Sequence, residues 1–141
     1  MSVSADRYSG VGVTMPRKEL PSRRNHITQR VKIAGKRTLY LSVDDEQNPS
    51  EVFLRIRGET GSEKTACYDI IARLMSLALQ EGIPMADIAE RLYGTRMEPA
   101  GPVTGDEQIK MCDGTGDYIG RHLLVNFCGR GDLAHVKKEA L

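Results

Sequence analysis

Three apolar runs with a period of two, set close together between residues 27 and 57, constrain this 141-residue chain more than any other feature. Ile27, Val31 and Ile33 have Thr28, Arg30 and Lys32 between them. Leu39, Leu41 and Val43 alternate with Thr38, Tyr40 and Ser42, and Val52, Leu54 and Ile56 alternate with Phe53, Arg55 and Arg57. Successive side chains on a strand point to opposite faces, so each run codes for one buried face and one wet face. Ala34-Gly35-Lys36 can turn the first hairpin, and residues 44–50, with Asn48-Pro49, the second. The expectation is a small antiparallel three-stranded sheet. Its far face, with Arg30, Lys32, Tyr40, Phe53, Arg55 and Arg57, mixes cations with aromatics. Such a face on a small sheet with open edges favours a homo-oligomer.

About three helices should follow and pack on one face of the sheet, an α+β architecture. Ser62 can cap the first, with Thr65 three residues on. Ala66, Ile70, Leu74, Leu77, Ala78 and Leu79 form a broad apolar stripe at helical spacing, read as its core face. Gly82 can stop that helix and Pro84 start the next, whose inner face carries Ile88, Leu92 and Met85. Gly94 ends it. Residues 94–105 hold two prolines and three glycines and read as a loop. Residues 106–127 read as a last helix, interrupted or restarted near Gly114-Thr115-Gly116, with Tyr118, Ile119, Leu123, Leu124 and Phe127 facing inward. Three parts result: an extended basic arm or tail over residues 1–25, a single α+β domain over 26–128, and a polar tail over 129–141.

Charge narrows the function classes. The formal net charge is only +1, which argues against a wholly basic nucleic-acid-binding protein. Eight Lys/Arg nevertheless lie between residues 16 and 37 against one acid, Glu19. Three scattered cysteines make a poor disulfide framework. With no apolar run of membrane-spanning length and no apolar leader, the expectation is a cytoplasmic protein with no membrane contact. Cys67 falls near an apolar helix face and reads as a buried structural thiol. Cys112, Cys128, His122 and His135 match no compact zinc spacing, so no metal site is expected. Asp44-Asp45-Glu46 reads as a polar hairpin tip. No catalytic constellation and no cofactor are expected.

The best candidate for chemistry is an anion site. Arg96 and Glu98 sit in a Pro/Gly-stiffened loop, which holds polar groups at low entropic cost. Asp117, Tyr118 and Arg121 sit close together on the last helix, with Tyr118 and Arg121 three residues apart. Lys64, near a helix start, could add a cation. A guanidinium pairs with phosphate and a ring stacks on a base, so the set suits a nucleotide. The same residues could instead form an internal salt-bridge network locking loop to helix, and the sequence leaves both readings open.

Tyr93-Gly-Thr95-Arg96-Met97-Glu98-Pro99-Ala-Gly-Pro-Val-Thr104, then Asp117-Tyr118-Ile119, resembles the TSCPD-type domain at the C-terminus of adenosylcobalamin-dependent ribonucleotide reductases. Arg17-Lys-Glu-Leu-Pro-Ser-Arg-Arg24, Pro49-Ser50-Glu51-Val52-Phe53-Leu54 and Ser76-Leu-Ala-Leu-Gln-Glu-Gly-Ile-Pro84 extend the resemblance over residues 17–127. The Ser-Cys-Pro-Asp signature is replaced here by Met111-Cys112-Asp113. The resemblance implies a module without the reductase barrel, and hence no catalysis on its own. In size and inferred architecture the chain also resembles phage anti-Thoeris sponge proteins, oligomers that sequester cyclic nucleotide signals. Three functions are therefore expected in order. The first is a non-catalytic oligomer that binds or sequesters a phosphate-bearing nucleotide, such as a cyclic nucleotide immune signal if the chain is phage-encoded. The second is an accessory module partnering a ribonucleotide reductase catalytic chain in deoxynucleotide synthesis. The third is nucleic-acid binding through the basic arm.

Overall fold

A computed structural model describes residues 18–57 and 62–137. The order of elements is β1 (His26–Ile33), β2 (Arg37–Asp44), β3 (Val52–Ile56), α1 (Glu63–Gln80), α2 (Met85–Leu92), β4 (Gly101–Thr104), β5 (Met111–Cys112) and α3 (Thr115–Phe127), closed by a 3-10 turn at Gly131–Leu133. The class is α+β, as the sequence implies. The sheet has five strands rather than three, all antiparallel, in the order β3-β2-β1-β4-β5.

The two added strands come from the stretch read as loop and helix. β4 pairs Val103 with Ile33, and Val103 N–H donates to the Lys110 carbonyl at 2.9 Å. Strands of two to four residues carry no readable alternation, so these exist because β1 offers β4 a partner and β4 offers β5 one. The last helix accordingly begins at Thr115, not near residue 106.

The first three strands form as their alternation dictates, except that Ile27, expected on the buried face, lies at the start of β1 beyond the core and is 55% exposed. Val31, Ile33, Leu39, Leu41, Val43, Val52, Leu54 and Ile56 are all buried on one face. Ala34 and Gly35 both take positive φ, 54° and 66°, and Lys36 N–H closes the first turn onto the Ile33 carbonyl at 2.9 Å. The second connection is organised by Asp44. Read as part of a polar tip, it is buried instead, and its Oδ1 accepts the amides of Ser50 and Glu51, each at 2.8 Å. On the outer face Phe53 is half exposed and the Arg55 guanidinium lies 5.9 Å from the Tyr40 ring centre.

Ser62 caps α1 by accepting the Thr65 amide, and Gly82, at φ 95°, ends it. Of the expected stripe, Leu79 alone is buried on the face of α1 that meets the sheet. Ala72, Met75 and Leu79 are buried, whereas Ile70, Leu74 and Leu77 are 47%, 60% and 40% exposed. Cys67, expected to be buried, is exposed as well. The helix carries apolar residues on two opposite sides, so periodicity alone could not tell which side the sheet would cover. Ser76 fixes the rotation. Its hydroxyl accepts the Val52 amide at 2.8 Å and donates to the Val52 carbonyl at 3.0 Å, stitching α1 to the edge strand β3.

Part of the expected arm lies against the domain. Arg24 forms a two-pronged ion pair with Glu51, Nε–Oε1 and Nη2–Oε2 both 2.7 Å, and the Lys18 amide donates to the Gln80 carbonyl. The remainder of the arm, residues 1–17, is outside the described residues. The start of the expected tail is also anchored: Ala134 is buried, and the His135 and Val136 amides donate to the Gln108 carbonyl.

α2 and α3 cross at Gly120. A Cβ there would lie 2.4 Å from the Tyr93 nitrogen and 2.6 Å from the Ala89 carbonyl oxygen, both backbone atoms that cannot rotate away. Gly120→Ala should therefore force the helices apart and lower stability by about 1–3 kcal/mol, the range for overpacked cores. Thermal melting checks this; an unchanged melting temperature would mean that the crossing is looser than described.

Candidate functional site

The expected site residues divide into two places. Asp117 is buried at the start of α3, where its two oxygens accept the amides of Gly94 (2.7 Å) and Asp113 (2.9 Å). It does lock the loop to the helix, but through backbone groups rather than arginines. Tyr118 is fully buried, and its hydroxyl donates to Asp106 Oδ2 at 2.7 Å. Arg121 donates from Nη1 to the Leu133 carbonyl at 2.7 Å and lies 5.0 Å from the ring centre of Tyr93, not Tyr118. Arg96 is exposed on the loop. Residues three apart on a helix share a side, but here the Tyr118 ring points into the core.

Asp106 is the electrostatic centre of this cluster. Burial alone would push its carboxyl up. That is outweighed by the His122 ring, with Nδ1 3.6 Å from Oδ2, and by hydrogen bonds from the Ile109 amide, the Tyr118 hydroxyl and the Gln108 amide, which hold it well below the usual carboxylate range. The same burial, with the Asp106 charge nearby, pushes the Tyr118 hydroxyl far above its usual value. A tyrosine so held neither ionises nor reaches a ligand. The arrangement ties the β4–β5 connection to α3.

The other two expected residues, Lys64 and Glu98, do come together. They line a recess of about 450 Å3 with Ala34, Lys36, Arg37, Pro99 and Ala100. Three elements build it. The β1–β2 turn supplies Lys36 and Arg37, the first turn of α1 supplies Lys64, and the loop after α2 supplies Glu98. Ala34 N–H donates to the Pro102 carbonyl at 2.8 Å, holding the turn against the loop. The Arg37 guanidinium lies 6.0 Å from the Tyr68 ring centre. Three cations, an adjacent helix start and one carboxylate converge here, a combination suited to a phosphate ester carrying a hydroxylated sugar.

Lys36 and Arg37 were legible only as part of a basic stretch. The missed signal is that a hairpin tip carrying two cations lies close to the cation at the next helix start. Another 450 Å3 recess, lined by Lys18, Asn48, Met85 and Cys128 among others, has less concentrated charge. Among the described residues, no group of three or more His, Cys, Asp and Glu side chains is placed to hold a metal ion. Burial raises the Cys112 and Cys128 thiols above their usual values, away from the thiolate form that attacks or ligates. Among the described residues, no helix is long and apolar enough to cross a membrane.

The family model for the TSCPD domain matches residues 8–124, the span that contains the sheet, α1, α2 and most of α3. The chain belongs to the TSCPD domain family. It is 36% identical over 126 residues to the vitamin B12-dependent ribonucleotide reductase of Agrobacterium fabrum and 35% identical over 126 residues to that of Bradyrhizobium diazoefficiens. A third such reductase, from Rhodopirellula baltica, is 32% identical over 124 residues. The matches cover 88%, 88% and 86% of this chain, but only 10%, 10% and 12% of those relatives. The chain therefore spans about a tenth of the length of these curated relatives. No solved structure matches it.

Removing the Tyr118 hydroxyl tests the buried cluster. Tyr118→Phe should cost about 1.5–3 kcal/mol, the range for a hydrogen bond to a charged group. The pH dependence has a definite sign. A carboxyl depressed on folding contributes stability above its unfolded pKa of about 3.9, and that stability is lost as pH falls towards the folded value. Asp106→Asn should flatten the acid limb of stability below about pH 4. An unaltered acid limb in chemical unfolding would remove Asp106 as its source.

Proposed function

We propose that this TSCPD domain binds a phosphate-bearing nucleotide without transforming it, in the service of ribonucleotide reduction. The observation that carries the reading is the convergence of Lys36, Arg37 and Lys64 on one recess with Glu98 at its rim. The cations suit phosphate oxygens, and the Glu98 carboxylate suits a ribose hydroxyl. Kinship supports the choice of ligand, since the relatives are named for acting on ribonucleotides. A nucleotide-responsive module beside a reductase catalytic chain joins the first two functions expected from sequence. A sequestering role differs only in needing tighter binding and no catalytic partner. Nucleic-acid binding draws less support: Arg24 is committed to Glu51, and Lys36 and Arg37 belong to the recess.

Calorimetry with ATP, dATP and a cyclic dinucleotide tests the proposal. Replacing both Lys36 and Lys64 by Ala should weaken binding about 10- to 100-fold, the scale of one or two charge-assisted hydrogen bonds. Arg91→Ala, on the α2 surface, should leave it unchanged. Binding should weaken with added salt because the cations are solvent-accessible, and the nucleotide should be recovered intact. Absence of binding by all three ligands at about 1 mM would reject the reading.

A further inference from the structure

The apolar side of α1 turned away from the sheet is independent of the recess. Ala66, Ile70, Leu74 and Ala78 form one i, i+4 row along the helix. Ile70 and Leu74, the large pair at its middle, are about half exposed, and Leu77 beside them is 40% exposed. This apolar surface continues into a groove of about 500 Å3 between α1 and α2, walled by Ile71, Ala78, Ile83, Ile88 and Leu92. Monomeric proteins scatter single exposed leucines, but a contiguous apolar ridge beside an apolar groove marks an interface.

We propose that this face docks a second copy of the same chain, with the two α1 helices crossing antiparallel about a two-fold axis. The row reads small-large-large-small in both directions, which is the self-complementarity that an isologous contact requires. Reversal sets Ile70 against the second copy's Leu74 and Leu74 against the second copy's Ile70. Rows of this type interdigitate when helices cross at about −50°, and that crossing splays the ends, so Glu63 and Glu81 move apart from their counterparts into water.

Charge agrees with this register. Asp69 and Arg73 lie on one flank of the row, paired at 3.2 Å and both exposed. The two-fold reversal brings Arg73 beside the second copy's Asp69 and Asp69 beside the second copy's Arg73, turning two surface pairs into a four-charge cluster. Area limits the strength. α1 is about 27 Å long and α2 about 12 Å, with helix widths near 10 Å, so two copies bury at most about 800 Å2, the size of a weak, transient contact. A weak, concentration-dependent dimer is expected.

Sedimentation velocity across a dilution series up to about 100 µM should show a concentration-dependent dimer. Leu74→Glu should give a monomer over that range while keeping its melting transition, because Leu74 is not a core residue. Asp69→Arg and Arg73→Asp should each weaken the dimer, by up to about tenfold, and the doubly reversed chain should recover it. A wild-type chain that stays monomeric overturns the proposal and leaves the face to a different protein. A dimer that survives Leu74→Glu also overturns it, by placing the contact elsewhere. Failure of the double reversal to recover what each single change loses rejects the antiparallel register.

Discussion

The buried carboxylate of Asp117 holds the molecule's least regular segment in place. Residues 94–113 leave α2, carry Glu98 past the β1–β2 turn, form β4 and β5, and return to α3. Asp117 accepts an amide from each end of that excursion, Gly94 and Asp113, so it closes a twenty-residue circuit with one side chain. Met97 N–H adds a bond to the Asp113 carbonyl within the circuit, and Gly114 lets Met97 pack directly against the backbone. A buried acceptor that lost these donors would carry a large desolvation cost, so the loop and the helix start hold each other in place. The position of Glu98 in the recess depends on that closure.

From this follows a division of labour between two halves of the fold. The sheet and α1 are amphipathic elements held mainly by apolar burial, with Asp44 and Ser76 fixing the β2–β3 connection and the helix against the sheet. The later half is held by buried polar groups: Asp117 on backbone amides, Asp106 on Tyr118 and two amides, and Arg121 on the Leu133 carbonyl. The recess lies where the halves meet. Its cations come from the first half and its carboxylate from the second, so its shape reports on their docking.

The residues reveal which of these features a sequence can carry. β2, β3 and the second half of β1 were legible because one face of each is buried, and Ser62 and Gly82 marked the ends of α1 through cap chemistry. The core face of α1 was not, because Ile70, Leu74 and Leu77 are as apolar as the buried Ala72, Met75 and Leu79; the Ser76–Val52 stitch and the Gln80–Ser50 hydrogen bond distinguish the two sides. β4 and β5 were hidden by their brevity. Among the expected site residues, Lys64 and Glu98 meet across the recess, whereas Tyr118 and Arg121 were placed together by helical spacing without knowledge of where the core begins. Lys36 and Arg37 were visible as charge but not as neighbours of Lys64, since only the fold brings the hairpin tip and the helix start to one recess.

Amide chemical-shift mapping during a nucleotide titration tests the central claim, that the recess between the β1–β2 turn and the loop at Glu98 is the ligand site. Saturable shifts should concentrate at residues 34–37, 64 and 98–100, with the amides of α3 and the Gly131–Leu133 turn nearly unmoved. Shifts centred instead on Arg121 and the turn it anchors, or no saturable shift with any nucleotide, would contradict it.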